Sequence, residues 1–141
     1  FIDYGYTRQE YYRPKRIDGT LICHYRHRTH DDPFSWPGLT VISASVDFTA
    51  VAEAADKCGL EVGGYTNQAM FLLSCGLEDL LAESESLPDK ERFVMNNQVR
   101  RLTLPAEMGE RFQVMALSRG LDESLADSLV GFSLSDLRYR L

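Results

Sequence analysis

The chain has 141 residues, 44% of them hydrophobic and 26% charged, and a formal net charge of −6. That length suffices for one domain with a core, and the composition is that of a soluble globular protein. The acidic balance argues against general nucleic-acid binding, and no apolar run approaches the ~20 residues needed to span a bilayer.

Phe1 to Gly5 reads as a short buried strand: two apolar residues, an acid, an aromatic and a glycine at the turn. An acid at the carboxyl end of such a strand is well placed for chemistry, because ligands of open α/β sheets bind outside those ends. A plain edge strand whose acid caps the next turn fits these five residues as well. A chain opening on Phe inside a core strand also predicts a longer polypeptide, of which this is the carboxyl-terminal part.

Residues 6–20 carry three tyrosines, four basic residues and Pro14, without periodicity, and close on Asp18-Gly19. They read as a loop lying over a site. The first 30 residues hold six basic and three acidic side chains, a local charge of +3 on a body of −9. Leu21 to Arg28 is either a short extended segment or a helical turn, and the stretch through Pro33 and Pro37-Gly38 is a loop. His24, His27 and His30 recur every third residue, which on a helix would invite a metal. Arg26 and Arg28 between them would repel a cation, so polar loop residues are expected instead, with no metal.

Leu39 to Val46 is rich in β-branched and small polar residues. Asp47 then serves as N-cap for a helix from Phe48 to Cys58, with Phe48, Val51, Ala52, Ala55 and Cys58 on one apolar stripe. Gly59 closes it, and Leu60 to Thr66 follows as a glycine-weakened strand. Asn67-Gln68 opens a helix over Ala69 to Cys75, broken at Gly76. Leu77 to Glu85 forms another, and Pro88 starts a third that runs to about Leu102 on Phe93, Met95, Val99 and Leu102. Arg111 to Leu117 alternates as a half-buried strand, with Phe112, Val114 and Ala116 inward. In the tail, 121–141, Leu125, Leu129, Val130 and Phe132 suggest a docked helix, with Leu134 to Leu141 loose. The cysteines Cys23, Cys58 and Cys75 are odd in number and lack metal-ligand spacing. They read as free, mostly buried thiols of a reducing compartment.

The order of strand, long loop, helix, strand, helical insertion and strand resembles the last third of a class I S-adenosylmethionine-dependent methyltransferase. Phe1 to Gly5, Leu60 to Thr66 and Arg111 to Leu117 then correspond to the fifth, sixth and seventh strands, with the seventh between the other two. The fold class implied is α/β, the carboxyl-terminal portion of a Rossmann-like methyltransferase sheet. Residues 1–120 form that part, 67–105 are its helical insertion and 121–141 a tail. The segments Ile2-Asp3-Tyr4-Gly5, Gly19-Thr20-Leu21, His27-Arg28, Asp32-Pro33, Pro37-Gly38, Val46-Asp47-Phe48-Thr49, Gly59-Leu60 and Gln68 with Phe71-Leu72 occur in the order seen in the MidA family, as does Met108-Gly109-Glu110-Arg111-Phe112. The family's mitochondrial relative is an arginine methyltransferase that assists assembly of respiratory complex I.

The resemblance implies an S-adenosylmethionine cofactor and a protein substrate, with a respiratory-complex subunit as candidate. It implies a bacterial cytoplasmic or eukaryotic mitochondrial-matrix location. The family's glycine-rich cofactor loop lies on earlier strands, and no Gly-x-Gly-x-x-Gly occurs here. By itself the chain is therefore expected to bind S-adenosylmethionine poorly and to be inactive. It supplies the substrate-side half of a site.

An arginine acceptor needs carboxylates for its guanidinium and a route for its proton. Asp3 is the candidate carboxylate, and His27 the candidate for proton handling. Tyr4, Gly5, Tyr6, Gly109 and Glu110 are candidate substrate-binding residues, with Tyr11 and Tyr12 as further aromatic partners for a planar cation. Two other readings stay open: a non-catalytic module binding an acidic protein partner, and methylation of a small molecule.

Overall fold

In the computed structural model, which describes residues 1–122 and 129–141, the chain builds two sheets. The larger holds β1 (Ile2–Tyr6), β5 (Val46–Asp47), β6 (Glu61–Asn67) and β7 (Phe112–Ser118) in the order β5-β1-β7-β6. β7 runs antiparallel to both neighbours, with Ile2 opposite Val114 and Tyr65 opposite Met115. β1 and β6 are therefore parallel, and the last strand lies between them. This is the arrangement of the fifth, seventh and sixth strands of the methyltransferase sheet.

Being central, β7 is buried on both faces rather than one. Met115, on the side expected to be wet, is 1% exposed and forms the core with Phe48 and Tyr65. Alternation alone could not reveal this, because a strand covered twice loses its polar face.

The core row sits under α2 (Phe48–Lys57). Asp47 caps this helix by accepting a hydrogen bond from the Ala50 amide at 3.0 Å. Phe48 and Ala55 are buried, and Val51 and Ala52 pack beside them. Gly59 takes φ +69°, the left-handed turn that ends the helix. Between β6 and β7 lie α3 (Gln68–Ser74), α4 (Leu77–Glu83) and α5 (Asp89–Thr103). Asn67 caps α3 through the Met70 amide at 2.9 Å. In α5 the half-buried positions are Arg92, Met95, Val99, Leu102 and Thr103. Phe93, expected inside, is 68% exposed because it lies one residue off that stripe.

Two cysteine expectations are overturned. Cys58 and Cys75 are exposed and only Cys23 is buried. Each exposed thiol belongs to the residue capping a helix carboxyl end, where the apolar stripe has run out.

Residues 20–45, expected as loop with at most one short extended piece, fold into a second sheet. β2 (Ile22–Tyr25), β3 (Arg28–His30) and β4 (Val41–Ser43) are antiparallel in the order β3-β2-β4. Before it, α1 (Arg8–Tyr11) is a single helical turn within the expected loop.

The end of the chain is a strap rather than a loose tail. Leu125 lies outside the described residues. Val130–Phe132 and Arg138–Arg140 are single 3-10 turns, with no longer helix among the described residues of this segment. The Phe132 ring lies against Gly64 on one face of β6, and Leu137 and Leu141 reach the core under α2. Between them the Leu137 amide donates to the Tyr65 carbonyl at 2.6 Å, and the Tyr65 amide donates to Asp136 at 3.4 Å. The strap covers the open edge of β6, which would otherwise present unpaired backbone groups.

Candidate functional site

β1 ends at Gly5 and Tyr6, and the small sheet stands over that end. Between them lies a cleft of about 490 Å³ lined by Tyr4, Gly5, Tyr6, Ile22, His24, Thr29, Ser43, Ser45 and Arg111, among others. His24 sits opposite both Thr29 and Val41, and Ile22 opposite Ser43. The pleat thus turns Ile22, His24 and Thr29 to one side of the small sheet. An adjoining hollow of about 530 Å³ adds Arg16, His30 and Asp31.

Local packing fixes this geometry. A Cβ on Gly5 would lie 2.4 Å from the Phe48 ring and 2.6 Å from the Val46 carbonyl oxygen, so only glycine lets β1 approach the start of α2 this closely. The Tyr4 ring packs on Phe112 at 3.9 Å between centroids. The Arg16 guanidinium lies over the Tyr6 ring at 3.8 Å. The Thr20 hydroxyl donates to the Tyr11 hydroxyl at 3.0 Å and accepts from the Ser45 amide at 3.3 Å, joining 6–20 to the small sheet.

α1 is clamped to α2. Arg8 donates to both Glu53 carboxylate oxygens, at 2.5 and 2.8 Å, and its Nε lies 3.5 Å from Asp47. The hydrogen bond from Arg8 holds the Glu53 carboxyl below its usual range, and the same contact raises Arg8. Asp32 accepts from the Ser35 hydroxyl at 2.6 Å and the Phe34 amide at 2.9 Å, which lowers its carboxyl and shapes the turn after β3. Trp36 then stacks on Tyr25 at 4.7 Å and meets His30 edge-on at 5.5 Å.

A third hollow, about 320 Å³, opens on the other side of Tyr6. It is lined by Tyr6, Glu10, Arg13, Tyr65, Asn67, Glu110, Gln113, Leu137 and Arg140. Arg140 donates to Glu10 at 2.6 Å. Burial pushes the Tyr65 hydroxyl upward; nearby Glu10 adds to this and Arg140 opposes it. The Tyr65 hydroxyl is therefore part of the same charge cluster.

Tyr4, Gly5 and Tyr6 come together at the cleft, while Glu110 shares the third hollow with Tyr6 and not with Tyr4 or Gly5. Asp3 is exposed and lies earlier on β1, its Oδ1 accepting from the Tyr4 amide at 2.8 Å. It pairs with Gln113, which in turn faces Asn67, so the three form one row toward the third hollow. His27 is exposed at the β2–β3 turn with φ +63° and is not among the lining residues above. Gly109 is buried; a Cβ there would meet the Thr103 carbonyl oxygen at 2.0 Å, and its own carbonyl accepts from the Ala69 amide at 3.0 Å. It locks the start of α3 to the end of α5. The sequence reading missed His24, Thr29, Ser43 and Arg111. Among the described residues no three His, Cys, Asp or Glu side chains converge as a metal site.

No carboxylate is among the residues lining the 490 Å³ cleft. A cofactor with a ribose diol and an α-amino group needs such an acceptor, and a glycine-rich turn for close approach. The residues of this cleft do not by themselves fit S-adenosylmethionine.

Residues 1–66 match a family model described as "Putative S-adenosyl-L-methionine-dependent methyltransferase". The chain is 34% identical over 139 residues to the protein arginine methyltransferase NDUFAF7 homolog, mitochondrial, of Drosophila melanogaster, covering 94% of this chain and 29% of that protein. It superposes on a crystal structure of an uncharacterized protein from Burkholderia thailandensis with TM-score 0.93 and 46% identity, covering all of this chain (100%) and 37% of the other. A second Burkholderia thailandensis structure, bound to S-adenosyl-homocysteine, gives TM-score 0.91 and 46% identity over 100% of this chain and 35% of the other. The chain thus spans about a third of the length of the relatives it matches.

Proposed function

We propose that this chain, which matches a model of putative S-adenosyl-L-methionine-dependent methyltransferases over residues 1–66 and resembles the MidA family, is the substrate-side part of a protein methyltransferase that modifies arginine. The observation that carries the reading is the 46% identity, at TM-score 0.91, to a structure holding S-adenosyl-homocysteine. The arginine preference draws support from the name of the Drosophila relative, and so does a mitochondrial location for a eukaryotic source. A bacterial source would place it in the cytoplasm. A respiratory-complex subunit as substrate rests on the family resemblance alone.

S-Adenosylmethionine supplies the methyl group in this family; no residue of this chain is assigned to holding it. The chain's own residues hold and orient the acceptor. A guanidinium is planar, cationic and forked. It is held best by carboxylates in its plane and by an aromatic face. Glu10 and Glu110 are the carboxylates lining the third hollow, Asp3 stands opposite its lining residue Gln113, and Tyr6 borders both hollow and cleft. Holding the acceptor in one orientation is the main contribution such residues can make to an in-line displacement.

The test is transfer of labelled methyl from S-adenosylmethionine to arginine-containing peptides by the complete gene product. Asp3→Asn and Glu110→Gln should each lower kcat/KM at least ~10-fold while leaving cofactor affinity unchanged. Methylation of a small molecule but of no peptide would reject the protein-substrate reading. Absence of any transfer would favour a non-catalytic interaction module.

A further inference from the structure

The strap ends in a position that the proposed function leaves unexplained. It is anchored by Phe132 against Gly64, by the Leu137 and Tyr65 backbone pairing, and by Leu137 and Leu141 in the core. Those contacts account for holding β6. They do not require an arginine at 140. Yet Arg140 carries its guanidinium into the third hollow and places it on Glu10 at 2.6 Å, where Glu110, Arg13, Tyr6 and Tyr65 are the other charged and aromatic groups.

This hollow sits at the carboxyl ends of β1 and β6, marked by Tyr6 and Asn67, the side on which α/β sheets bind ligands. With Arg140 inside, the charges of Glu10, Glu110, Arg13 and Arg140 sum to zero. With Arg140 withdrawn, they sum to −1, beside the Tyr6 ring, one face of which carries Arg16, and above a Tyr65 that is 2% exposed. That is a place for a cation, and the chain fills it with its own guanidinium.

We infer that Arg140 is an intramolecular competitor, occupying the place that an arginine side chain of the protein substrate takes when it binds. The inference rests on the proposed arginine-directed function and adds a regulatory element to its site. The strap need not unfold for exchange. Only the Arg140 head has to leave, and it is 41% exposed against a Glu10 that is 43% exposed. A pair so exposed is weak enough for an incoming guanidinium to replace.

The experiment measures binding, not turnover. The probes are a fluorescein-labelled glycine-rich nonapeptide with one central arginine and the same peptide with neutral, isosteric citrulline. Fluorescence anisotropy is read on the complete gene product. Arg140→Gln should tighten the arginine peptide by up to ~5-fold, the span available to an exposed ion pair, and leave the citrulline peptide unchanged. Arg140→Lys keeps the charge and should bind both as the unaltered protein does. Glu10→Gln should weaken the arginine peptide and abolish the gain in the double variant. Unchanged or weaker arginine-peptide binding by Arg140→Gln overturns the inference, as does an equal gain for both peptides. Thermal unfolding of each variant separates these outcomes from misfolding. Peptide methylation is scored separately. A gain in binding without methylation retains the competitor and rejects arginine methylation, and methylation without the gain does the reverse.

Discussion

Gly5→Ala is expected to act on the fold before it acts on any substrate. The added Cβ would sit 2.4 and 2.5 Å from two atoms of the Phe48 ring and 2.6 Å from the Val46 carbonyl oxygen. The ring has nowhere to go. Phe48 is 0% exposed and packs against Phe1 at 5.7 Å and Tyr65 at 5.4 Å between centroids. The carbonyl cannot yield cheaply either, because Val46 is paired with Gly5 in the β1–β5 ladder. Overpacking of this kind costs about 1–3 kcal/mol, and two rigid neighbours place Gly5→Ala toward the top of that range. At roughly 2–4 °C per kcal/mol for a domain somewhat larger than this chain, the melting temperature should fall by about 4–12 °C. Phe48→Leu removes the ring but not the carbonyl. Adding Gly5→Ala in that background should therefore cost about 1 kcal/mol less than in the unaltered protein. Differential scanning fluorimetry on the four proteins of this cycle provides the check. An alanine variant melting within about 1 °C of the original, or strict additivity with Phe48→Leu, would refute the reasoning.

Three further substitutions probe the supports of the site. Asp47→Ala removes the cap of α2 and should cost about 1 kcal/mol, whereas Asp47→Asn should keep most of it, as read by chemical denaturation. Gly64→Ala would bring a Cβ to 2.4 Å from the Phe132 ring and push the strap off β6, so amide exchange at Leu137 and limited proteolysis of residues 129–141 should both accelerate. Glu53→Gln tests the clamp on α1 through pH. The Glu53 carboxyl is lowered from 4.5 in the folded chain, so its stabilisation is present above that value and is lost as pH falls through the folded one. The melting-temperature gap between variant and unaltered protein should be constant above that pH and close below it. A gap that widens on acidification would contradict the pairing with Arg8.

Apart from β5, the larger sheet and its helix were legible because their elements carried agreeing signals. α2 had a capping Asp47, a 3.6-residue stripe and a closing Gly59; β6 and α3 were split by Asn67 acting as a cap. The small sheet was not legible. Its strands are three or four residues long, too short for an alternation to show, and β3 (Arg28–His30) carries no apolar residue. Its hairpin turn uses Arg26 and His27 at φ +46° and +63°, where Asn-Gly would have announced the turn. His27 was singled out through the His27-Arg28 segment of the resemblance, whereas the strand register turns His24 to the cleft. Leu134 to Leu141 read as loose because its two core anchors, Leu137 and Leu141, stand four residues apart between polar ones, and its remaining holding contacts go to the β6 backbone.

Calorimetric titration of S-adenosylmethionine, run on this 141-residue chain and on the complete gene product, tests the central claim most directly. The account predicts binding by the complete protein and none by the chain alone, since the cleft here lacks a carboxylate for the cofactor. Tight binding by the isolated chain would contradict that division of the site, and absence of binding by both would contradict the methyltransferase function itself.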